Sequence, residues 1–267
     1  MSRVIIAGVL CALQSVSHQA LPRHGACAIV YEIGVGEVLR RPASSCGLRV
    51  TPQSTFKIPH AIAALDARVL DGADETIKYD GRPVDSPFWR QDHTLATAIR
   101  YSVVWYFQEI AKRLGATRER DYLERFEYGN RDPSSGLTTF WLGGSLVISP
   151  DEQEQFLLKL YSDRLPVRAD ALATVRRLLV QPAGAITNAT GEHPFGGRWP
   201  KGTVLSAKTG SGDTAEGRAV RWLVGHVRQG SRAWVFVSNV VGDVQTPALA
   251  AVDQAEHALV DAGILRP

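Results

Sequence analysis

A serine and a lysine that stand three positions apart, Ser54 and Lys57, are the residues whose types and spacing most directly suggest chemistry. After them Ile58, Ile62 and Leu65 recur at steps of four and three, which is the period of a helix with one buried face. Side chains three positions apart on a helix share a face. The hydroxyl and the amine are therefore predicted to meet at the start of an apolar helix.

A paired serine and lysine can perform nucleophilic catalysis if the lysine serves as a base. A serine hydroxyl is a weak nucleophile until a neighbouring group takes its proton. Lysine is protonated at neutral pH because its ordinary pKa is about 10.4, so burial or covalent modification must first remove its positive charge. The alternative is that Ser54 and Lys57 are surface residues on an amphipathic helix.

The ends of this helix are predicted from proline and glycine. The apolar repeat extends to Val69, and Asp71-Gly72 would end the helix because glycine commonly follows the last turn. If Ser54 were the N-cap, Pro59 would occupy the fifth helical position, where proline removes a hydrogen bond. We therefore predict a 3₁₀-like turn around Ser54 before the regular helix begins.

A second serine and a second lysine lie at comparable points of predicted elements. Ser102 precedes a helical repeat of apolar residues that Gly115 would close. The predicted strand 202–207 runs directly into Lys208-Thr209-Gly210. A serine at a helix start can also be a simple N-cap, and for Ser102 that alternative remains open.

The composition is that of a globular protein without a nucleic-acid-binding or metal-binding signature. Of the 267 residues, 45% are hydrophobic and 21% are charged, which suffices for one large domain or for two lobes that share a cleft. The net charge is +3 without a run of Lys or Arg, so nucleic acid is not predicted as a partner. The seven histidines show no spacing of the kind that zinc sites use, so no metal is predicted.

Residues 1–20 have the layout of a secretory signal peptide. Arg3 supplies an early positive charge, residues 4–13 form an apolar core, and a polar end with small residues follows. The core is too short to span a bilayer, and no other stretch is long and apolar enough, so membrane insertion is not predicted. Cleavage is expected at Ser15-Val16-Ser17 or at Ala20, with export to the periplasm of a Gram-negative bacterium. The alternative is a disordered or helical N-terminus of a cytosolic protein.

Cys27 and Cys46 are candidates for a disulfide. They flank a predicted hairpin, in which residues 26–33 and 37–40 pair across a turn at Gly34-Val35-Gly36. When the chain folds back about this turn, Cys46 comes within reach of Cys27. In an oxidising compartment the two thiols can form a disulfide. Two separately buried thiols are the alternative.

The order of predicted elements indicates an α+β fold with two lobes. Two strands, a helical middle, three strands and a last helix follow one another along the chain. Residues 21–50 and 185–267 are expected to form one lobe, in which helices flank an antiparallel five-stranded sheet. Residues 51–184 are expected to form an all-helical lobe inserted into it, and the two lobes together make one catalytic domain.

Five short motifs follow one another along the chain. They are Ser54-Thr55-Phe56-Lys57, Ser102-Val103-Val104, Tyr128-Gly129-Asn130, Phe140-Trp141-Leu142 and Lys208-Thr209-Gly210. S-x-x-K, a second serine motif and K-T-G occur in this order in serine enzymes that recognise penicillin. Together the five motifs resemble those of the class D β-lactamases, the oxacillinases, whereas the serine-aspartate-asparagine element of class A is absent. The resemblance implies a β-lactamase/penicillin-binding-protein-like fold.

The resemblance implies that Ser54 is the nucleophile and that carbon dioxide or bicarbonate carboxylates Lys57. The resulting N6-carboxylysine would be the general base, and no other cofactor is implied. An apolar wall, to which Val104, Trp141 and Leu142 would contribute, lowers the pKa of a lysine and so allows the carbamate to form. The ring N–H of Trp141 would hold a carbamate oxygen. A core tryptophan without a ligand role is the alternative.

The same resemblance assigns further residues to the substrate. Ser102 would relay a proton to the leaving nitrogen, Lys208 would lend positive charge, and the backbone N–H groups of Ser54 and Ser211 would form the oxyanion hole. Thr209 would hydrogen-bond the substrate carboxylate. The residues expected to contact substrate are Lys208, Thr209, Gly210, Ser211, Tyr128, Asn130 and Arg218.

Three positions depart from the family pattern. The usual arginine for the substrate carboxylate is missing near the start of the last helix, where Asp253 lies, and Arg218 or Arg221 would have to replace it. Ser211 stands where relatives often have an aromatic residue, and Gly143 where many have an acidic one. These departures leave the substrate range open.

The predicted function is hydrolysis of β-lactam antibiotics through an acyl-enzyme at Ser54. Two alternatives use the same serine. One is an antibiotic-sensing receptor domain that keeps the acyl adduct, and the other is a peptidoglycan transpeptidase or carboxypeptidase, a DD-peptidase. A small-molecule β-lactam is the expected partner, and the sequence leaves open whether the protein is a monomer or a homodimer.

Overall fold

The structure is a computed structural model that describes residues 25–214 and 216–266. The predicted signal peptide, residues 1–20, lies outside the described residues. The strands are β1 (Gly25–Glu32), β2 (Gly36–Arg41), β3 (Thr76–Ile77), β4 (His93–Thr94), β5 (Val180–Gln181), β6 (Ala185–Asn188), β7 (Gly191–Pro194), β8 (Val204–Asp213), β9 (Ala219–Gln229) and β10 (Arg232–Gly242). The helices are α1 (Ala43–Cys46), α2 (Lys57–Asp66), α3 (Leu95–Arg100), α4 (Val104–Phe126), α5 (Pro150–Tyr161), α6 (Ala169–Leu178) and α7 (Ala250–Asp261), with 3₁₀ turns at Gln53–Phe56 and Pro87–Trp89.

Six of these strands form one antiparallel sheet in the order β2-β1-β10-β9-β8-β5. The pairs β3-β4 and β6-β7 are separate. The predicted α+β fold class is confirmed, and the five predicted strands form the body of the sheet. The sixth strand, β5, has two residues, which pair with Leu205 and Ser206 of β8. So short a strand directly after α6 has no alternating pattern, which is why the sequence did not predict it.

The sheet separates two apolar cores. Along β9, Leu223 belongs to the core beneath α7, whereas Trp222 and Val224 belong to the core shared with the helices between β2 and β8. Successive side chains of a strand point to opposite faces of the sheet. On β8, Ala207 lies in the α7 core, so Lys208 points towards the helices. The strand pattern thus directs Lys208 to the side of the sheet where the two serine motifs lie.

The predicted 3₁₀ turn before α2 is confirmed, but α2 ends earlier than predicted. Gln53–Phe56 form the turn, and the regular helix runs over Lys57–Asp66. The predicted end at Asp71-Gly72 is wrong, because Arg68 already adopts a left-handed conformation with φ 54°. The N–H of Val69 then reaches back to a carbonyl five residues earlier, the pattern in which one left-handed residue ends a helix. Val69 still packs on the core, which explains why it continued the apolar repeat.

Two helical segments meet in α4 where the sequence predicted a helix end. Gly115 has φ 75° and ψ 160°, values outside the helical region, within Val104–Phe126. A glycine accepts positive φ without the steric penalty that a Cβ atom brings. The first segment begins two residues after Ser102 and carries Phe107 into the core. The break therefore separates the segment next to the second serine motif from the charged helix that follows.

Cys27 and Cys46 are joined by a disulfide in the structure, with their Cα atoms 5.2 Å apart. Cys27 lies on β1, Cys46 is the last residue of α1, and both are buried. The bond therefore ties the sheet to the segment that leads into the 3₁₀ turn at Gln53–Phe56.

β8 lies directly against this 3₁₀ turn, and a glycine allows the contact. A Cβ atom at Gly210 would lie 2.9 Å from the carbonyl oxygen of Pro52 and 3.1 Å from Cγ2 of Thr55. A larger residue would push the strand and the turn apart. The glycine of the K-T-G motif therefore sets how closely β8 approaches the segment that holds Ser54.

Candidate active site

Ser54 and Lys57 meet at the junction of the 3₁₀ turn and α2. Ser54 is the second residue of the turn, and Lys57 is the first residue of α2. The Nζ atom of Lys57 donates a hydrogen bond of 2.8 Å to Ser54 Oγ. Ser54 is half-buried, whereas Lys57 is buried.

Lys57 is enclosed in the protein interior although it is a lysine. Its exposed fraction is 1%, and Nζ lies 5.5 Å from the centroid of the Phe107 ring. Burial, and secondarily the positive charge of Lys208, holds the pKa of Lys57 well below its ordinary value of 10.5. The pocket therefore favours the uncharged amine, which is the form that can accept a proton or attack an electrophile.

A second serine–lysine pair lies close to the first. Lys208 Nζ donates hydrogen bonds of 2.9 Å to Ser102 Oγ and of 3.0 Å to the carbonyl oxygen of Thr209. Ser102 does not cap α4, because Val103 is the N-cap residue and makes no side-chain cap. Instead Ser102 has φ 56°, a left-handed conformation that is uncommon for serine. Residues held in such conformations cluster at functional sites.

Burial lowers the pKa of Lys208 from 10.5 to about 7. In the unfolded chain the amine keeps its ordinary pKa, so between pH 7 and 10.5 the unfolded state binds more protons than the folded state. Stability therefore rises with pH across this window. The buried amine of Lys208 thus destabilises the folded protein at neutral pH, where its positive charge is disfavoured.

We expect Lys208→Met to raise the free energy of unfolding at about pH 7 by about 2 kcal/mol. Because one pKa unit is worth about 1.4 kcal/mol, lowering the pKa of Lys208 from 10.5 to about 7 costs about 4–5 kcal/mol at neutral pH, which exceeds the loss of two hydrogen bonds worth about 1 kcal/mol each. Urea unfolding checks this, and the advantage of the variant should vanish at about pH 10. Lys201→Met, at an exposed lysine, is the control and should change little at either pH. A variant that is less stable than wild type at neutral pH would contradict the prediction.

The indole of Trp141 is a buried donor whose acceptor is missing. The residue is 0% exposed, and its Nε1 atom has no hydrogen-bond partner among the described residues. A buried N–H without an acceptor costs about 1–3 kcal/mol. The ring is held in place, since it stacks on Phe56 at 5.6 Å and packs against His60 at 5.3 Å between centroids. Its N–H is therefore a fixed donor suited to a carbamate oxygen or another buried acceptor.

The remaining residues predicted to surround Lys57 and the substrate lie on the same elements. Val104 begins α4, Leu142 follows the tryptophan, and both are half-buried. On β8, Thr209 is buried and Ser211 is exposed. The structure therefore brings residues of four motifs to the region where the 3₁₀ turn, the start of α4 and the end of β8 converge, and Tyr128 of the fifth motif packs against Phe56 of that turn.

Neither a metal site nor a membrane span is found in the described residues. In residues 25–214 and 216–266, no group of three or more His, Cys, Asp or Glu side chains is placed to hold a metal ion. Among the helices in this part of the chain, none combines the length and the apolar composition that crossing a bilayer requires.

Known proteins that resemble this chain agree on one family. The family model of the penicillin binding protein transpeptidase domain matches residues 39–257. The chain is 36% identical to probable β-lactamase YbxI of Bacillus subtilis over 72% of this chain and 65% of that protein. It is 32% identical to β-lactamase OXA-1 of Escherichia coli over 87% of this chain and 82% of that protein. The solved structure of class D β-lactamase BAT-2 matches with a TM-score of 0.77 at 30% identity, over 91% of this chain and 94% of that one.

The chain belongs to the class D β-lactamases. The family resemblance predicted from the motifs is thereby confirmed. The match spans about 65% of the length of YbxI.

In this class D β-lactamase, Tyr128 is enclosed rather than lining the cleft as predicted, whereas Asn130 is half-buried and its contact with substrate stays a prediction. Tyr128 is 0% exposed, and its hydroxyl accepts a hydrogen bond of 3.1 Å from Gln153 Nε2. The side-chain amide of Asn130 donates to the carbonyl oxygen of Ser145 and accepts from the N–H of Val147. Tyr128 therefore packs between α5 and the 3₁₀ turn, and Asn130 stabilises the loop between α4 and α5. A motif shows that these residues occur together, but not which segments pack around them.

The two candidate arginines for a substrate carboxylate occupy different places. Arg218 is half-buried in the connection between β8 and β9, where its backbone N–H donates to Thr214 Oγ1. Arg221 lies on β9 directly opposite Ser211, and its guanidinium donates a hydrogen bond of 2.9 Å to the carbonyl oxygen of Gly212. Residues that face each other across an antiparallel pair share a sheet face. The Arg221 guanidinium is thus fixed beside the end of β8.

Two residues at the site were not among the predicted ones. Phe107 forms the aromatic wall over Lys57, and its spacing of three from Val104 on a helix is a signal that could have identified it. Gln53 precedes Ser54 and reaches the end of β8, where Nε2 donates to the carbonyl oxygen of Asp213 at 3.1 Å. No local pattern indicates that contact, because the partner is distant in the sequence.

Proposed function

We propose that this class D β-lactamase hydrolyses β-lactam antibiotics through an acyl-enzyme formed on Ser54. The observation that carries the proposal is the buried Lys57 amine at 2.8 Å from the Ser54 hydroxyl. A serine hydroxyl beside a proton acceptor is an activated nucleophile. That the relatives YbxI and OXA-1 are β-lactamases by name supports a β-lactam as substrate.

We assign the role of general base to Lys57 after N-carboxylation by carbon dioxide or bicarbonate. The uncharged amine that the pocket favours can form a bond to the carbon of carbon dioxide and release a proton. The residues present fit the modification, since Trp141 holds an unpartnered buried N–H in the same apolar region. When present, the carbamate supplies an anionic oxygen that accepts the Ser54 proton. No other cofactor and no metal are needed.

Each serine–lysine pair handles one proton transfer of acylation: Ser54 and Lys57 the proton lost by the nucleophile, and Ser102 and Lys208 the proton gained by the leaving nitrogen. Ser54 Oγ attacks the lactam carbonyl carbon, and the backbone N–H groups of Ser54 and Ser211 stabilise the oxyanion. As the lactam C–N bond breaks, the nitrogen takes a proton from Ser102, and Lys208 replaces it. Lys208 suits this role because burial places its pKa at about 7, so both of its charge states are populated at neutral pH.

Deacylation repeats the chemistry with water as the nucleophile. Once the proton that the Lys57 base took from Ser54 has passed back to Lys208, which gave one up during acylation, the base takes a proton from water. The hydroxide attacks the ester carbonyl carbon, and the bond to Ser54 Oγ breaks. The proton then returns to Ser54, which restores the enzyme and releases the opened β-lactam. Because one base serves both half-reactions, loss of the Lys57 amine should impair both.

We assign the substrate carboxylate to the hydroxyl of Thr209 and to an arginine near the end of β8. Arg218, in the connection between β8 and β9, and Arg221, whose guanidinium lies beside Gly212, are the two candidates. A periplasmic location, supported by the signal-like residues 1–20, would place the enzyme where β-lactams act.

Hydrolysis of benzylpenicillin by the purified protein, with bicarbonate present, tests the proposed function. We expect loss of the lactam absorbance with wild type, no turnover with Ser54→Ala, and no effect of a chelator. Mass spectrometry should show the opened penicillin and a transient adduct on Ser54.

The other outcomes identify the alternative functions that share Ser54. An acyl adduct that stays on Ser54 for hours would indicate an antibiotic-sensing domain. Turnover of D-Ala-D-Ala peptides without lactam turnover would indicate a peptidoglycan DD-peptidase. Either result would refute β-lactam hydrolysis as the function.

A further inference from the structure

Gln53, the residue before the proposed nucleophile, is held in an unusual conformation. It is 3% exposed, and its φ of 51° lies in the left-handed region that favours glycine. A glutamine stays in such a conformation only when its surroundings hold it there. The contacts of Gln53 therefore show which segments hold its backbone in this conformation.

Three separate segments meet at Gln53. Its backbone N–H donates to the carbonyl oxygen of Trp141 at 3.1 Å, which links it to the segment that holds the buried indole. Its Nε2 atom donates to the carbonyl oxygen of Asp213 at 3.1 Å, at the end of β8. Its amide also lies over Gly212, where a Cβ atom would come within 2.4 Å of Oε1. The side chain thus attaches the end of β8 to the nucleophile turn.

The carbonyl of Asp213 is enclosed from a second direction as well. A Cβ atom at Gly143 would lie 2.9 Å from this oxygen. Gly143 is one of the positions that depart from the family pattern, and the absence of a side chain there leaves room for β8 to end against the turn. The position of the β8 end is therefore determined by Gln53 on one side and by the Gly143 backbone on the other.

These contacts lie on both sides of Ser211, whose N–H is one of the two oxyanion donors. The donors come from different segments, since Ser54 lies in the 3₁₀ turn and Ser211 on β8. On one side of Ser211, Gly210 packs against the turn at Pro52. On the other side, the Gln53 amide holds Asp213. The distance between the two N–H groups thus depends on a contact before Ser211 and on another after it.

We propose that Gln53 is a positioning residue that fixes the separation of the two oxyanion-hole N–H groups by holding the end of β8 against the nucleophile turn. This inference rests on the proposed function, because it assumes that an oxyanion forms between Ser54 and Ser211. Gln53 acts through the strand and does not contact the reacting atoms. Its loss should therefore weaken the transition state and leave ground-state binding unchanged.

Two near-isosteric variants test this role. Gln53→Met keeps the length and packing but has no donor, and Gln53→Glu presents a carboxylate to the Asp213 carbonyl. We expect both to lower the acylation rate constant for the chromogenic cephalosporin nitrocefin about 10- to 100-fold, as small misplacements of catalytic groups do. The non-covalent dissociation constant should not change. Affinity for phenylboronic acid, whose tetrahedral Ser54 adduct mimics the oxyanion, should fall by a similar factor.

Gln181→Met is the matched control. Gln181 is a buried glutamine whose Nε2 atom also donates to a β8 carbonyl, that of Ala207 at 3.4 Å, far along the strand from Asp213 and away from the nucleophile turn. This variant should acylate and bind the boronic acid like wild type. The ¹³C signal of carboxylated Lys57 should be the same in all variants and wild type, which separates the oxyanion hole from the general base.

Gly212→Ala provides an independent variant. Its Cβ atom would overlap the Gln53 amide, so it should reproduce the defect of Gln53→Met. In a Gln53→Ala background the overlap is gone, and Gly212→Ala should then cost much less, which is non-additivity between neighbours. If Gln53→Met does not fold, the same role can be tested with Gly212→Ala and with the double variant Gln53→Ala/Gly212→Ala.

The outcomes separate this inference from the proposed function. If wild type acylates and the Gln53 variants acylate and bind the boronic acid equally well, the positioning role is wrong and the proposed function stands. If substrate binding weakens as much as acylation, Gln53 is merely structural and the inference is overturned. If wild type itself forms no adduct with nitrocefin or the boronic acid, the proposed function fails first.

Discussion

Lys57→Ala is expected to lower kcat for penicillin hydrolysis about 10³-fold and to leave Ser54 acylated. The variant lacks the nitrogen that lies 2.8 Å from Ser54 Oγ, so neither the serine nor the deacylating water has a base. Acylation should be slow and deacylation slower still. Mass spectrometry after mixing with penicillin should show the acyl-enzyme accumulating, whereas wild type returns to its unmodified mass.

Lys57→Met controls for the volume lost in Lys57→Ala. It should show the same kinetic defect, and added bicarbonate should rescue neither variant. With carbon dioxide and bicarbonate removed, so that Lys57 is a free amine, it should also be more stable than wild type at neutral pH, because burial holds the pKa of Lys57 well below its ordinary value and removing the amine removes that cost. Normal turnover by either variant would show that Lys57 is not the base.

Trp141→Phe is expected to make activity depend strongly on bicarbonate. The buried indole N–H is the donor that we assign to the carbamate, and a hydrogen bond to a charged group is worth about 1.5–3 kcal/mol, or about 10- to 100-fold in affinity. The bicarbonate concentration that gives half-maximal activity should rise by about that factor. Saturating bicarbonate should restore most of the wild-type rate. The ¹³C signal of the carbamate, measured without substrate, checks the same equilibrium directly.

Trp199→Phe is the matched control for this prediction. Trp199 also donates through its indole nitrogen, to the carbonyl oxygen of Phe195 at 3.0 Å, and it packs against the α7 core, away from Lys57. Its loss should lower stability without changing the bicarbonate dependence. If Trp141→Phe responds to bicarbonate as wild type does, Trp141 is a core tryptophan and the ligand role is wrong.

The sequence by itself determined the local structure and the family. The apolar steps after Ser54 indicated a helix, and Pro59 indicated that this helix is preceded by a 3₁₀ turn, which the structure has at Gln53–Phe56. The alternation along the late strands predicted the sheet, and the five motifs in order predicted membership of the class D β-lactamases. These features were readable because helix and strand periods, proline geometry and motif order involve residues that are close in the chain.

The tertiary structure decided which of the motif residues can perform chemistry. Lys208 reaches Ser102 across 106 positions, and Gln53 reaches Asp213 across 160. Tyr128, which the motif placed beside the substrate, is buried against Phe56 of the 3₁₀ turn and Phe156 of α5. The depressed pKa of Lys57, the unpartnered N–H of Trp141 and the strained Gln53 all result from burial by distant segments. Local spacing carries no information about such burial, because desolvation depends on every segment that packs around a group.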